Sequence, residues 1–510
     1  MRQHLLRFLR APCYPFLFSL YPILALLAMN AGEVRASTAL RSLLLSLLLA
    51  ALLFLLLRHF LHQKHRAAVT LLALEVVFFA YGHLYSFFRQ KHVANINLVL
   101  PLLTTAGVIL IFLLATARRL NFSRVAPALN SLTLGLVVFV SLQLTFYTAS
   151  PVRAENAAEN RLPQQTVHIP PDQPLPDIYY IILDSYARAD RLQTLYGYDN
   201  SRFIQQLQAM GFYVASCSQS NYGRTDLSLT SALNMDYIQR LHPELTPETI
   251  SRTSVFADLK HSAVRQILEE NGYRTVAFAT GFAWSEWTDA DEYIAPSPLS
   301  PNLNEFEIML LRTTLTRQLL ESGMLQIDPL GAPRFRERTQ LAFATLPELP
   351  HTPGPKFVFA HLIIPHPPFV FGPNGEEIDA AQFVNADGKY TFDTYSKGYT
   401  TALTFLNAQM ESILARIIAE SNPPPVIIVQ GDHGPWLQSK ERAFDILNAY
   451  YLPGHADDLY PTISPVNSFR IVFNAYFGTN YPLLPDYSYA SPVPNIYRFS
   501  FIPNPCQTGK

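Results

Sequence analysis

Four short segments of the chain carry side chains that can do chemistry together. Asp184 closes the apolar run of "DIYYIILD", and Thr225 stands in "SNYGRTDLSLTSAL" just ahead of a helical pattern. His366 follows another apolar run in "LIIPHPPF", and Asp432 and His433 close a third in "PPVIIVQGDHG". An Asp-His pair followed by Gly offers oxygen and nitrogen ligands to one ion. With Asp184 the set becomes two carboxylates and an imidazole, a mixture that suits Zn²⁺ or Mn²⁺ better than the all-oxygen shell of Ca²⁺. A hydroxyl on the same ion loses its proton more readily and becomes a nucleophile; Thr225 is the hydroxyl at hand. If Thr225 opens a helix, the free amides there also favour a phosphate. Arg188, Arg224 and His366 are able to neutralise the oxygens of a transferred group.

Each residue also has an ordinary structural reading. An Asp at a strand end is commonly a turn or cap, Thr225 serves as an N-cap, and a His between prolines sits in a turn. Asp226 either joins the site or is an exposed acid favoured by the helix start. Trp284 and Trp287 in "TGFAWSEW" either line a glycan or lipid pocket or pack in the core. The joint occurrence of the four segments, each at the end of an apolar run, is what points to a site.

The elements around them set the frame. "TVAFAT" and "KFVFAHLII" read as further strands, and "NSRFIQQLQAMGF" and "TALTFLNAQMESILARIIAES" as helices. Continuous apolar strands alternating with helices indicate a buried, mostly parallel sheet in an α/β sandwich. Sites in such sheets form beyond the carboxyl ends of the strands, where all four segments fall.

The first part of the chain is different. Five apolar runs precede Ala149: Pro15–Met29, Ser42–Leu57, Ala67–Phe88, Ile96–Ala115 and Ala128–Tyr147. A spanning helix needs about 20 mostly apolar residues, so five spans are expected. No cleavage site follows the first run, so it is not read as a signal peptide. Arg2, Arg7 and Arg10, then Arg58, Lys64 and Arg66, then Arg118, Arg119 and Arg124 fill alternate loops more richly than Arg35, Arg41, Arg89 and Lys91 do. The richer loops face the cytoplasm by the positive-inside rule. The N-terminus is then cytoplasmic and everything after the fifth span lies outside, periplasmic or extracellular, on a bacterial-type inner (plasma) membrane. Glu75 and His83 fall inside the third run, where charge is costly; a helix–helix hydrogen bond or a polar groove admitting a lipid headgroup accommodates them. "RLPQQTVHIPPDQPLPD" is polar and aperiodic and reads as a linker. The expected domains are 1–148 (transmembrane), 149–176 (linker) and 177–510 (catalytic).

Composition excludes other classes. The 510 residues hold 38 basic and 39 acidic side chains, a net charge of −1, which is not the basic excess of a nucleic-acid binder. Only 15% of residues are charged, against about a quarter in soluble proteins. Of three cysteines, Cys13 lies in the membrane part, while Cys217 and Cys506 lie outside, where disulfides persist. Spacing leaves their pairing open.

These motifs resemble the alkaline phosphatase/sulfatase superfamily, and best its membrane-anchored sulfatase-like branch of lipoteichoic acid synthases and phosphoethanolamine transferases. "ILDSYARADRLQTLYGYDN" is similar to the family's opening strand with its metal-binding acid, "GRT" to the threonine nucleophile segment, "PHPPF" to the substrate-contacting histidine segment, and "GDHG" to the late Asp-His metal pair. The resemblance spans about Asp177 to Phe477. It implies a metal held by Asp184, Thr225, Asp432 and His433, with Thr225 as nucleophile and His366 on the phosphoryl oxygens or leaving group. Two departures stand out. The C/S-x-P-x-R pattern of formylglycine sulfatases is missing around both Cys217 and Thr225, and the first metal acid is Asp, where those transferases usually carry Glu. The expected activity is transfer of a phospholipid headgroup to an envelope glycan or lipid acceptor. A hydrolase of phosphate or sulfate esters and a non-enzymatic envelope scaffold stay open as alternatives.

Overall fold

A computed structural model describes residues 11–117, 121–158, 175–322, 324–325, 331–385, 389–435 and 444–507. Most of the expected linker, and Arg2, Arg7, Arg10, Arg118 and Arg119 of the orientation argument, lie outside these residues. The chain divides into two compact units. One comprises Met1–Ser150 and Pro301–Gly331, the other Pro151–Ser300 and Ala332–Lys510.

The first unit is helical. Among the described residues, α1 (Tyr14–Met29), α2 (Leu40–Leu61), α3 (Lys64–Gln90), α4 (Ile96–Thr116) and α5 (Ala126–Ala158) follow the five expected apolar runs. Four of these segments are long and apolar enough to cross a membrane, and α1, with 16 residues, is shorter. The helix α5 continues ten residues past the expected start of the linker at Ala149. Glu75 is buried with neither carboxylate oxygen hydrogen-bonded, so the expected helix–helix bond is not made. His83 lies on the exposed face of α3.

The segment Pro301–Gly331, counted by the sequence reading with the catalytic part, packs with these helices. Its first helix, Glu305–Thr313, starts in a capping box between Asn304 and Glu307. Phe306 is fully buried against Ile23, Leu26 and Leu27 of α1, with Met309 and Leu310 alongside at helical spacing. Glu307 accepts Arg41 Nε at 2.6 Å, and Asn304 donates to Thr38 O at 3.0 Å. Arg317 lies 4.2 Å over the Tyr85 ring. Gly82 lets the backbone of Thr313 pass directly over α3, where a Cβ would collide with it.

The second unit is built on one sheet. Among the described residues its strands are β1 (Ile178–Leu183), β2 (Tyr213–Val214), β3 (Arg274–Phe278), β4 (Glu292–Ile294), β5 (Lys356–Leu362), β6 (Val426–Gln430) and β7 (Asn448–Tyr451). Their order is β2-β7-β6-β1-β5-β3-β4. β6, β1, β5, β3 and β4 run parallel; at one edge β7 is antiparallel to β6, and β2 is antiparallel to β7. Every residue of β1 is buried, as its unbroken apolar sequence requires of a strand covered on both faces. Alternate side chains of one face, Ile178, Tyr180 and Ile182, meet Phe357, Phe359 and Phe469 in the main core. A two-stranded ribbon, β8 (Ser488–Ala490) with β9 (Ser500–Ile502), follows. Cys217 and Cys506 are joined as a disulfide across 289 residues of chain.

Glu307→Ala takes the carboxylate from Arg41, whose side chain is 33% exposed and also donates to Asn302 O at 3.1 Å. Breaking a buried pair costs about 3–5 kcal/mol, and this partial exposure places the cost at the lower end. The melting temperature of the detergent-solubilised protein should fall, and the Arg41→Ala/Glu307→Ala double variant should recover part of the loss. A second check is a peptide map of the oxidised protein, which should show the peptides of Cys217 and Cys506 linked until a reductant is added.

Candidate active site

Three adjacent parallel strands deliver the chemistry. β1 ends at Leu183, β5 at Leu362 and β6 at Gln430, in register beside one another. Asp184, the His366 loop, Asp432 and His433 therefore emerge at the same edge. Gly431 is needed there because a Cβ would strike the carbonyl of Tyr186. That close approach places Asp432 against the start of the β1 loop.

Asp184, Asp432 and His433 are buried, and one ligand atom from each lies within 4.8 Å of the others. Asp432 Oδ1 accepts Ser185 N at 2.9 Å. Its Oδ2 is buried and has no hydrogen-bond partner. Asp184 Oδ1 accepts Ser185 Oγ at 3.0 Å, and its Oδ2 faces His361 Nε2 at 3.2 Å. Burial alone would raise the Asp184 pKa, but the nearby His366 and the hydrogen bond with His361 outweigh it and hold the carboxyl below the usual range. His433 Nδ1 donates to Gly434 O at 2.8 Å, an anchoring of one ring nitrogen usual in metal-binding histidines, and its Nε2 faces Asp432 Oδ2 at 3.4 Å.

Thr225 opens the helix Thr225–Leu233 as its first helical residue; the N-cap is Arg224, so Thr225 is not itself the cap. Thr225 Oγ1 lies 3.1 Å from His433 Nε2. One turn on, Ser228 Oγ donates to Asp432 O at 2.7 Å and ties this helix to the β6 loop. His366 is partly exposed; its amide donates to Asp184 O at 3.2 Å and its Nδ1 to Pro367 O at 2.7 Å.

Other expectations change. Asp226 is buried, not exposed, and pairs with Arg224 and with Arg252, each at 3.2 Å. It is not in the ligand cluster, and Arg224 is partly committed to it. Arg188 is held by Asp190 at 2.7 Å and by Asp445 at 2.9 Å, so it braces the β1 loop. Trp287 is core, stacked on Phe359 at 4.4 Å with its indole N–H on Leu259 O. Trp284 is also buried, stacked on Phe256 at 5.6 Å and 6.5 Å from the His361 ring.

Ser185, His361 and the tyrosines of the helix Phe392–Glu420 were not read from sequence as site residues. Ser185 has φ +67°, a conformation costly for a side chain other than Gly. It is held there by the Asp432 contact and by Tyr399, whose hydroxyl donates to Ser185 O at 2.7 Å. His361 was hidden in an apolar strand, and its signal was a lone imidazole five residues ahead of His366.

A family model described as Sulfatase matches residues 176–465, more than half of the chain. The chain belongs to the sulfatase family. No curated protein matches it. Among solved structures it is similar to the C-terminal periplasmic domain of EcEptC from Escherichia coli in complex with Zn (13% identity, 64% of this chain and 93% of that one, TM-score 0.41). It is also similar to the integral membrane lipooligosaccharide phosphoethanolamine transferase A from Neisseria meningitidis (12% identity, 91% and 95%, TM-score 0.38). A third is the phosphonate monoester hydrolase of Agrobacterium radiobacter (14% identity, 62% and 80%, TM-score 0.35). Thr225 stands beside the cluster, and Cys217 is consumed in its disulfide.

Gly431→Ala should weaken metal affinity about 10–100-fold, the range for losing a residue that orients a ligand. Gly398 lies under Phe369, where a Cβ would collide with the ring. Gly398→Ala should therefore keep the metal and lose turnover by displacing the His366 loop. Metal analysis beside an activity assay checks both, and the reverse pattern contradicts this division of roles.

Proposed function

We propose that the protein is a membrane-embedded, metal-dependent phosphoryl-type transferase that moves a phospholipid headgroup to an envelope glycan or lipid acceptor. The observation that carries this reading is Thr225 Oγ1 standing 3.1 Å from His433 Nε2 at the start of a helix, beside two buried carboxylates. Asp432 Oδ2, which makes no hydrogen bond, and His433 Nε2, 3.4 Å from it, fit a cation with mixed oxygen and nitrogen ligands, Zn²⁺ or Mn²⁺. Asp184, Thr225, Asp432 and His433 would hold it, and bound there it supplies Lewis acidity toward a hydroxyl and phosphoryl oxygens.

Thr225 Oγ gives its proton to solvent, attacks the phosphorus of the donor headgroup and forms the new O–P bond. The bond from phosphorus to the lipid alcohol breaks, and that alcohol leaves with a proton that we assign to His366. An acceptor hydroxyl then attacks the Thr225 ester, freeing Thr225 and moving the headgroup. The helix Thr225–Leu233 favours the negative charge of the phosphoryl group at its N-terminus. A membrane anchor makes sense for a lipid donor, since both partners are confined to one plane. The Cys217–Cys506 disulfide supports a catalytic part outside the cytoplasm, with the N-terminus inside.

Full-length protein loaded with Mn²⁺ or Zn²⁺ and incubated with membrane phospholipid should gain a headgroup mass on the peptide holding Thr225. Thr225→Ala should lose the adduct and at least about 1000-fold in lipid cleavage, as expected when a nucleophile is removed. Free headgroup without an adduct would favour the hydrolase. Cleavage that survives Thr225→Ala sinks covalent catalysis.

A further inference from the structure

The helix Phe392–Glu420 presents Tyr395 and Tyr399 one turn apart. Their rings stack, 5.6 Å between centroids and 17° between planes, so the two phenols leave the helix side by side. Tyr399 marks where this pair is directed: its hydroxyl donates to Ser185 O at 2.7 Å and accepts Ala187 N at 3.2 Å, just beyond Asp184. The other side of Tyr395 is closed by Phe369, 5.3 Å away and edge-on at 77°. Phe369 is three residues past His366, whose amide is bonded to Asp184 O. Tyr395 is thus clamped between the Asp184–Ser185 loop and the His366 loop. It is 4% exposed, yet among the described residues its hydroxyl has no hydrogen-bond partner. Burial, then the neighbouring Tyr196 and the Asp184 charge, push the phenol well above its ordinary pKa, so it stays a neutral donor.

We propose that the Tyr395 hydroxyl is a substrate-binding group that donates a hydrogen bond to a non-bridging oxygen of the tetrahedral phosphoryl group handled at Thr225. The assignment deepens the transferase reading and rests on it. Such a neutral donor grips an anion without competing for the cation, unlike a further carboxylate or imidazole.

The test uses full-length, metal-loaded protein and inorganic phosphate as the probe, with orthovanadate as a second. Tyr395→Phe removes one oxygen and leaves the ring stack in place. It should weaken phosphate binding about tenfold, the size of one hydrogen bond to a charged acceptor, with metal content and melting temperature unchanged. Tyr399→Phe serves as the structural comparator: it should lower the melting temperature by freeing Ser185. Unchanged phosphate affinity in Tyr395→Phe overturns the proposal. So does a joint loss of metal and stability, which would make Tyr395 a packing residue only. A tenfold effect on phosphate without any Thr225 adduct overturns covalent transfer and leaves Tyr395 in place. Wild-type protein that binds neither phosphate nor vanadate overturns both.

Discussion

Two carboxylates buried side by side are the constraint on which the second unit depends. Asp184 is 5% exposed and Asp432 fully buried, at the ends of neighbouring strands. Like charges in a poorly solvated place repel and must be met by donors or positive charge. The surrounding residues answer this demand in part. Ser185 gives its amide to one carboxylate and its hydroxyl to the other, at the expense of an unfavourable backbone angle. His361 faces Asp184 from below, and His433 turns its Nε2 inward by anchoring Nδ1 on Gly434. One oxygen of Asp432 makes no hydrogen bond and lies 3.4 Å from His433 Nε2, so two carboxylates and an imidazole converge as a set that suits a cation.

The cluster is assembled from parts of the chain that are far apart. Ser185 N and Asp432 Oδ1 are separated by 247 residues, and Thr225 and His433 by 208. Only the central position of β1, flanked by β5 and β6, brings these ends together. The geometry of the site is therefore bound to the integrity of the apolar core beneath it, where Tyr180 packs between Phe359 and Phe469. A core cavity far from the chemistry would be felt at the ligands, because close-packed interiors transmit strain.

Much of this arrangement was legible from residue patterns. β1, β3, β5 and β6 follow the runs that read as strands, because strands covered on both faces must be apolar throughout. The long helix before β6 begins earlier than the apolar pattern suggests, at Phe392, because Thr391 and Thr394 form a capping box ahead of it. The edge strands β2 and β4 hold two and three residues, too few for a periodic signal. Ser185 and Tyr395 stayed invisible for another reason. A left-handed angle and a phenol clamped between two loops are properties of tertiary packing, which residue types along the chain do not encode. The burial of Asp226 was missed because its neutralising partner Arg252 lies 26 residues away.

The excursion Pro301–Gly331 bears on how this protein can be handled and how it can diverge. The residues that pack with the membrane helices interrupt the sequence of the sheet-bearing unit. A truncation that starts after α5 would carry this excursion away from Ile23, Leu26 and Leu27, leaving Phe306 and its neighbours as an orphaned greasy patch. Such a fragment invites self-association unless the excursion is excised as well. The same threading means that a single crossover in the gene after α5 would part Arg41 from Glu307, although both belong to the helical unit.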